Sequence, residues 1–541
     1  MDSEKMATDS PRDENPRVEG DILGDDQPSF GVKWCCGLKT VTQLVLMATM
    51  GSFQLGFSLS VLNTSKAHIT IDLGWCHNEK GNYWGCNRGL IYGSIVSSAV
   101  FGGAFVGCLL AEVFTSSGRR VCIIVTHSIF ALASIFSAAA EGFVTLLIGR
   151  AVAGIACGLF TMAIPLYISE VTPDEWRGFY GALHQLAVTF GIFVGVLLGL
   201  AFGPTPAVNE VFTLSSFQRV WWRALLGFPA LLSFIALILV VWVYPFDTPH
   251  YMVGVDQKPK AAALLREIYQ KDDISTELRR IVKSRQQSTS REPLTVGRAF
   301  LVDPTYRKVI LLACFLSIMQ QASGANVFVA NSNNLYESLK LSPGLITGLT
   351  VALLGLNFVV TIVSVPLVDY LGRRSLLLFS LLVSFAAQAT ALVANLVDAK
   401  STAVQWVTVG CLYVFLAGFA VGYGPVLMVY TTEIFPSDIK EGAAGLAASL
   451  IWLTSLIMVL PSDFLFKERF TVFLGMCVAS LAVTLVVMFF FMKETKGLSV
   501  DESPYFTKSP SLVAVTEEPA VSPSARTLSG THDFSPRNST V

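Results

Sequence analysis

Seven side chains stand out because they lie where the chain is otherwise apolar: Gln185, Gln320, Gln321, Asn326, Asn331, Asn357 and Trp452. A polar group placed in hydrocarbon is costly unless it meets a partner or faces a cavity. Each amide brings two donors and an acceptor, which suits an uncharged ligand covered in hydroxyls, themselves both donor and acceptor. A tryptophan adds a flat apolar face on which the C–H surface of a sugar ring can lie. The alternative is that these amides join helix to helix, as interhelical hydrogen bonds do. The crowding of Gln320, Gln321 and Asn326 around Ser323-Gly324, a dipeptide able to interrupt a helix, favours a ligand site.

The elements that position these residues are read from two motifs, each written twice. Tyr167, Glu170, Pro173 and Arg177 recur 263 residues on as Tyr430, Glu433, Pro436 and Lys440, with the same internal spacing. Gly118-Arg119-Arg120 recurs as Gly372-Arg373-Arg374. The chain therefore reads as two related halves. Apolar residues make up 52% and charged residues 14% of it, against roughly 25% charged in soluble domains. Stretches of about twenty apolar residues, enough to cross roughly 30 Å of hydrocarbon, begin near Thr40, Gly89, Val121, Phe143, Gly178 and Trp221. A second set begins near Val309, Leu345, Ser375, Val404, Gly442 and Thr471. The fold class expected is an all-α membrane protein of roughly twelve spans in two pseudo-symmetric six-helix halves.

Alternation of the spans places the repeated basic residues, and about a dozen more between Lys258 and Lys308, on one side of the bilayer. The positive-inside rule makes that side, and both termini, cytosolic. The net charge of -1 carries no such information. Boundaries follow: a disordered N-terminus over 1–38, a six-helix half over 39–244, a helical linker over 245–305, a second half over 306–497 and a Ser/Thr/Pro-rich tail over 498–541. Leu264, Leu265 and Ile268, then Ile274, Leu278, Ile281 and Val282, recur at helical spacing among charges, so the linker is expected to form short amphipathic cytosolic helices. Residues before Lys33 lack the order of a signal peptide. Most of the ten cysteines fall inside spans, where a thiol packs. Cys76 and Cys86 share the first external loop and can pair in an oxidising compartment, while Cys35 and Cys36 are either palmitoylation sites or unmodified thiols.

Together, Gly118-Arg119-Arg120, Pro165-Leu166-Tyr167-Ile168-Ser169-Glu170, Arg177-Gly178, His184-Gln185-Leu186, Gln320-Gln321-Ala322-Ser323-Gly324-Ala325-Asn326, Gly372-Arg373-Arg374 and Lys493-Glu494-Thr495-Lys496-Gly497 resemble the sugar porter family of the major facilitator superfamily. The resemblance runs in order from about Gly51 to Glu502 and implies the major facilitator fold. It implies that Gln185, Gln320, Gln321, Asn326, Asn357 and Trp452 hold a hexose. Within the family, Val61-Leu62-Asn63-Thr64, the two-cysteine loop and Asn331-Ser332-Asn333 are more similar to the hexose transporters of protozoan parasites than to animal glucose transporters. Departures from the family pattern cluster in the second half. The tenth-span motif ends in Met428 where a tryptophan is usual, Ala420 replaces a glutamate, and Ala330 with Asn331 replaces two tyrosines. Pro245-Phe246-Asp247-Thr248-Pro249-His250 stands where P-E-S-P-R is usual, which predicts a weakened ion-pair network there; the first G-R-R motif lacks its upstream acid, having Thr115.

The charged set Arg119, Arg120, Glu170, Arg177, Arg373, Arg374, Glu433 and Lys440 is expected to clip the two halves together when the site faces outward. Exposed pairs contribute only about 0 to 1 kcal/mol each, so a network is required; the alternative role is to set topology. Gly422, Gly424 and Pro425 are expected to break the tenth span into a moving gate. Proton-linked sugar porters carry an aspartate in a first-span G-Y-D motif; here it is Gly56-Phe57-Ser58, which argues for uniport. His127 suits either a proton shuttle or packing, and His184 packing. The expectation is a plasma-membrane hexose uniporter, for D-glucose and possible further hexoses such as fructose, acting as a monomer in the lipid bilayer. A proton-coupled sugar symporter and a non-transporting sugar sensor are the alternatives. No enzymatic constellation, metal set, cofactor or nucleic-acid site is expected.

Overall fold

A backbone in hydrocarbon must satisfy its own hydrogen bonds, so each long apolar stretch becomes a helix. The computed structural model describes residues 40–79, 81–203, 211–271, 273–290, 295–399, 401–436, 439–496 and 503–506. Among these, twelve helices are long and apolar enough to span a membrane: Thr40–Asp72, Asn87–Ser116, Arg119–Ala138, Phe143–Val171, Arg177–Phe202 and Ser216–Val243, then Pro304–Ser338, Pro343–Val368, Arg373–Asp398, Thr402–Glu433, Gly442–Glu468 and Phe470–Phe491. They are called the first to twelfth spans below. The largest departures from the expected starts are five residues, at the sixth span (Ser216, not Trp221) and the seventh (Pro304, not Val309). Cys35, Cys36 and nearly all of both expected tails lie outside the described residues.

Outward faces of the bundle carry apolar side chains such as Leu132, Val144, Ile238 and Phe489 in exposed positions, as lipid contact requires. Inside each half, small residues let backbones meet. A Cβ on Gly103 of the second span would stand 2.1 Å from the Ala151 carbonyl oxygen, and one on Gly158 of the fourth would stand 2.2 Å from that of Ala104, so this contact depends on missing side chains. Between the halves, the second span packs on the eleventh, the fifth on the eighth and the first on the seventh. The matching pairs are what a two-fold repeat predicts.

Two spans of the second half are interrupted. The seventh is α-helical over Pro304–Ala322 and again over Ala325–Ser338, joined through Gly324 at φ +87°, a conformation that costs glycine little. The tenth holds a π turn, Phe419–Tyr423, between Thr402–Gly418 and Pro425–Glu433. Between the halves run four short helices, Pro249–Gly254, Lys258–Tyr269, Ser275–Ser290 and Val296–Val302. Their apolar positions Leu264, Leu265, Ile268, Ile274, Leu278 and Ile281 are buried. Opposite them lies a two-stranded hairpin, His77–Asn78 with Gly81–Asn82, closed by a Cys76–Cys86 disulfide. The bundle's two ends are called the motif end and the disulfide end below.

Candidate functional site

A cavity of about 1270 Å³ lies between the halves and extends to the motif end, where Glu170, Arg177, Glu433 and Lys440 line it. Deep within it stand Gln185, Gln320, Gln321, Asn326, Asn357 and Trp452. The fifth, seventh, eighth and eleventh spans thus bring together six of the seven residues singled out in the apolar stretches. The side-chain amides of Gln185 and Asn357 make no hydrogen bond to other described residues, and Gln321 Oε1 is buried without a partner. Asn326 Nδ2 donates to Ser455 Oγ at 2.9 Å, leaving its oxygen uncommitted. Trp452 packs on Phe101 of the second span with ring centroids 6.1 Å apart. Met428 and Ala420 also line the cavity, so the substitution of methionine for the family's tryptophan removes an aromatic face from the site itself.

Gln320 is committed more fully than a free ligand would be. Its Nε2 donates to the carbonyl oxygens of Tyr423 (2.7 Å) and Gly424 (3.1 Å), where the π turn passes into the helix Pro425–Glu433. Its Oε1 accepts from Gln321 Nε2 at 3.2 Å. The ninth span supports both interruptions: Ser380 Oγ accepts from Tyr423 N at 2.7 Å and donates to the Gly418 carbonyl at 2.6 Å, and Gln388 Nε2 donates to the Ser323 carbonyl at 2.9 Å. Broken helices thus keep their freed backbone groups satisfied from neighbouring side chains.

At the motif end the repeated residues build two copies of one arrangement. Arg119 Nε and Nη2 donate to Glu170 Oε1 at 2.9 and 2.7 Å, and Arg373 Nε and Nη2 donate to Glu433 Oε1 at 3.3 and 3.0 Å. Thr248 donates to Glu170 as Thr495 donates to Glu433. Arg120 reaches the Val240 and Val241 carbonyls that end the sixth span, and Arg374 that of Phe489 near the end of the twelfth. These pairs lie within one half each, so here they brace the halves separately; the expected clip between halves belongs to the arrangement closed at the motif end, which in this structure is open. The altered segment after the sixth span is not the weakness its sequence suggests. Asp247 accepts from the backbone N–H groups of Arg119 and Arg120 at 3.1 and 3.2 Å, as Glu494 accepts from those of Arg373 and Arg374 at 2.9 and 3.0 Å. The two carboxyls differ in ionisation. Burial pushes Asp247 up despite its N–H donors. Burial also acts upward on Glu494, but four backbone N–H donors outweigh it and hold that carboxyl below its ordinary range.

The disulfide end is closed by contacts across the halves. Lys66 Nζ donates to Asp463 Oδ2 at 2.8 Å and to Asn331 Oδ1 at 2.8 Å. Asn331 Nδ2 donates to Ser462 Oγ at 2.8 Å, and Ser94 and Asn334 donate to Asp463. Asn63 donates to the Val329 carbonyl and to Ser332, both at 2.8 Å. Trp84 Nε1, inside the loop that the disulfide closes, donates to Glu337 at 3.1 Å. Asn331 therefore stands outside the cavity lining, with both ends of its amide used in this closure. Lys66 was the legible signal that sequence reasoning passed over, since an ionisable side chain inside a span carries a functional presumption.

Three further polar groups inside the spans bear on mechanism. Arg150 of the fourth span, 3% exposed, donates to Ser58 Oγ at 3.0 Å and to the Ser58 carbonyl at 2.7 Å. His184 Nδ1 is 2.8 Å from Ser52 Oγ and lines the cavity beside Gln185, a closer place to the site than the packing role expected of it. His127 packs against Phe160, ring centroids 4.8 Å apart, away from the cavity lining, which is the packing alternative.

Two six-helix halves around a central cavity, open at one end and latched at the other, define a membrane transporter of the major facilitator fold. The chain belongs to the family of sugar (and other) transporters, whose pattern it matches over residues 44–506. It is 56% identical over 505 residues to Hexose transporter 1 of Toxoplasma gondii, covering 93% of this chain and 89% of the relative. It is 39% identical over 475 residues to Hexose transporter 1 of Plasmodium vivax, covering 86% and 93%. Solute carrier family 2, facilitated glucose transporter member 2 of Rattus norvegicus is further away, 26% identical over 512 residues with the same coverages of 86% and 93%. These values bear out the nearer resemblance to the protozoan group. In fold, it is similar to the xylose transporter XylE from E. coli in a partially occluded inward open conformation, at TM-score 0.68 and 20% identity over 85% of this chain and 99% of that one.

Proposed function

We propose that this sugar transporter is a facilitative hexose uniporter of the plasma membrane, acting as a monomer by alternating access and carrying D-glucose, with fructose or other hexoses in its range. The observation that carries the reading is the set of amides lining the cavity with hydrogen-bonding atoms that no other described residue uses: those of Gln185 and Asn357, and Gln321 Oε1. An uncharged ligand rich in hydroxyls answers them, with the face of Trp452 for its C–H surface. The nearest relatives quoted above are named hexose transporters. The assigned contacts are Gln185, Gln321, Asn326, Asn357 and Trp452, with Gln320 bound to the tenth-span turn as well, and Asn331 is assigned to the latch at the disulfide end.

The positive-inside rule makes the motif end cytosolic, so the cavity opens inward and the Lys66–Asp463 closure faces outside. Rocking the halves about the midplane exposes the site alternately. Uniport is supported by Ser58. Where proton-linked porters carry an aspartate, Arg150 here holds only a hydroxyl and a carbonyl, so that place has no group that titrates.

Counterflow of labelled hexose in proteoliposomes tests the reading. Exchange of glucose that ignores an imposed pH gradient is the expected result. Uphill accumulation abolished by a protonophore would make the protein a proton symporter, and binding without exchange would make it a sensor.

A further inference from the structure

Ser503, Pro504 and Tyr505 lie in a cleft between the motif ends of the tenth and twelfth spans, and the protein holds them as it would a ligand. Tyr505 Oη donates to the Phe491 carbonyl at 2.8 Å and accepts from the Lys493 backbone N–H at 3.1 Å. Its third position, 2.8 Å from Tyr430 Oη, therefore accepts from the Tyr430 hydroxyl. Lys493 Nζ donates to the Pro504 carbonyl at 3.0 Å and stands 5.1 Å from the Tyr505 ring centroid. Ser503 Oγ donates to the Ile434 carbonyl at 2.6 Å.

Each of these partners would be left wanting without the segment. Phe491 is the last residue of its helix, and its carbonyl is one of the four that a helix terminus leaves open. With the segment in place Tyr430 is fully buried, so its hydroxyl is met by Tyr505 and not by water, and losing that partner removes its one hydrogen bond among the described residues. Tyr430 is also the tyrosine of the repeated motif, four residues before Ile434 and three before Glu433, whose carboxylate binds Arg373.

We propose that this cleft is a binding site for the chain's own Ser503–Pro504–Tyr505 segment, a clasp that fixes the motif end of the tenth span to that of the twelfth. With Tyr430 and Ile434 held, bending of the tenth span is confined to the π turn at Phe419–Tyr423. The recognised chemistry is a phenol hydroxyl used in all three of its hydrogen-bonding positions. A phosphoryl group on that oxygen would replace the donated proton with negative charge against the Phe491 carbonyl.

Amide hydrogen exchange on the full-length protein in proteoliposomes, without sugar, reads the clasp independently of whether hexose is the substrate. Tyr505→Ala, and a chain ending at Glu502, should speed exchange on the order of tenfold in residues 430–436 and 489–496 and leave the other spans unchanged. Tyr505→Phe keeps the ring and should speed it by about threefold. A synthetic peptide of residues 501–508 added to the shortened chain should restore protection, and the same peptide phosphorylated on Tyr505 should not. Unchanged exchange in Tyr505→Ala, faster exchange spread over the whole chain, or equal rescue by the phosphorylated peptide would each overturn the proposal.

Discussion

Lys66 and Asp463, in different halves of the molecule, meet at 2.8 Å with side chains 3% and 1% exposed. A buried ion pair of this kind is weak evidence for stability, because removing both charges from water costs much of what their attraction returns. Removing one partner is another matter, since the other charge is left buried and alone. Lys66→Met or Asp463→Leu alone should therefore destabilise the protein by about 3–5 kcal/mol, and the double variant by much less than the sum. Thermal melts in detergent measure the cycle. Because this pair closes the disulfide end, both single variants should also lose uptake, and the double variant should recover part of it. Additive melts would mean that the two side chains act independently.

The cavity amides separate into groups that kinetics can distinguish. Gln185 and Asn357 line the cavity with side-chain amides that make no hydrogen bond to other described residues, so alanine at either position should remove mainly what the ligand uses. Each loss should raise the KM for glucose by about five- to tenfold, the effect of about 1 to 1.5 kcal/mol, with little change in maximal rate. Gln320→Ala instead strips two donors from the Tyr423 and Gly424 carbonyls and should lower the maximal rate more than it raises KM. Concentration series of labelled uptake decide this, and equal KM effects in all three variants would return Gln320 to a simple contact role.

The spans, their pairing into halves and six cavity residues were legible because hydrophobic length and amide chemistry are local properties of a sequence. What was not legible depends on which residues face one another. Asn331 has the same chemistry as Asn326 and lies five residues on, more than a helical turn. The non-helical backbone at Asn331, φ −137°, and the approach of Lys66 commit it to the latch. Asp247 was hidden for the reverse reason: the expected glutamate is missing, but a carboxylate two residues after Pro245 reaches the backbone N–H groups of Arg119 and Arg120. The grouping of charges within halves likewise follows from tertiary placement, since Arg119–Glu170 and Arg373–Glu433 have the same signs and spacing that a cross-half clip would need.

Arg150 offers a test of coupling. Its guanidinium is buried and donates to Ser58, so Ser58→Asp would place a carboxylate against a cation already in position. That carboxylate would be stabilised in its charged form by the arginine and opposed by burial, giving a titratable pair where the natural protein has none. Counterflow by Ser58→Asp should acquire a pH dependence, while the unaltered protein stays flat. A flat profile in the variant would mean that this position does not communicate with the transport cycle.

His250 predicts how stability depends on pH at the motif end. Burial first, and then the positive charges of Arg177 and Arg119, lower it from 6.5 to about 4. Between these two values the unfolded chain binds a proton that the folded protein refuses. Folding stability therefore falls as pH drops from 6.5 towards 4 and is insensitive to this group above 7. Glu494, held below its ordinary 4.5, adds a loss only at lower pH, as its carboxylate protonates and its four N–H donors lose their acceptor. Melting temperature measured in detergent from pH 7 down to pH 4 should decline in the unaltered protein, and His250→Gln should flatten the decline above pH 4.5 while leaving the fall below it in place. An unchanged slope in His250→Gln would assign the acid sensitivity to another group, though not to Asp247, whose raised carboxyl favours the folded protein as pH falls.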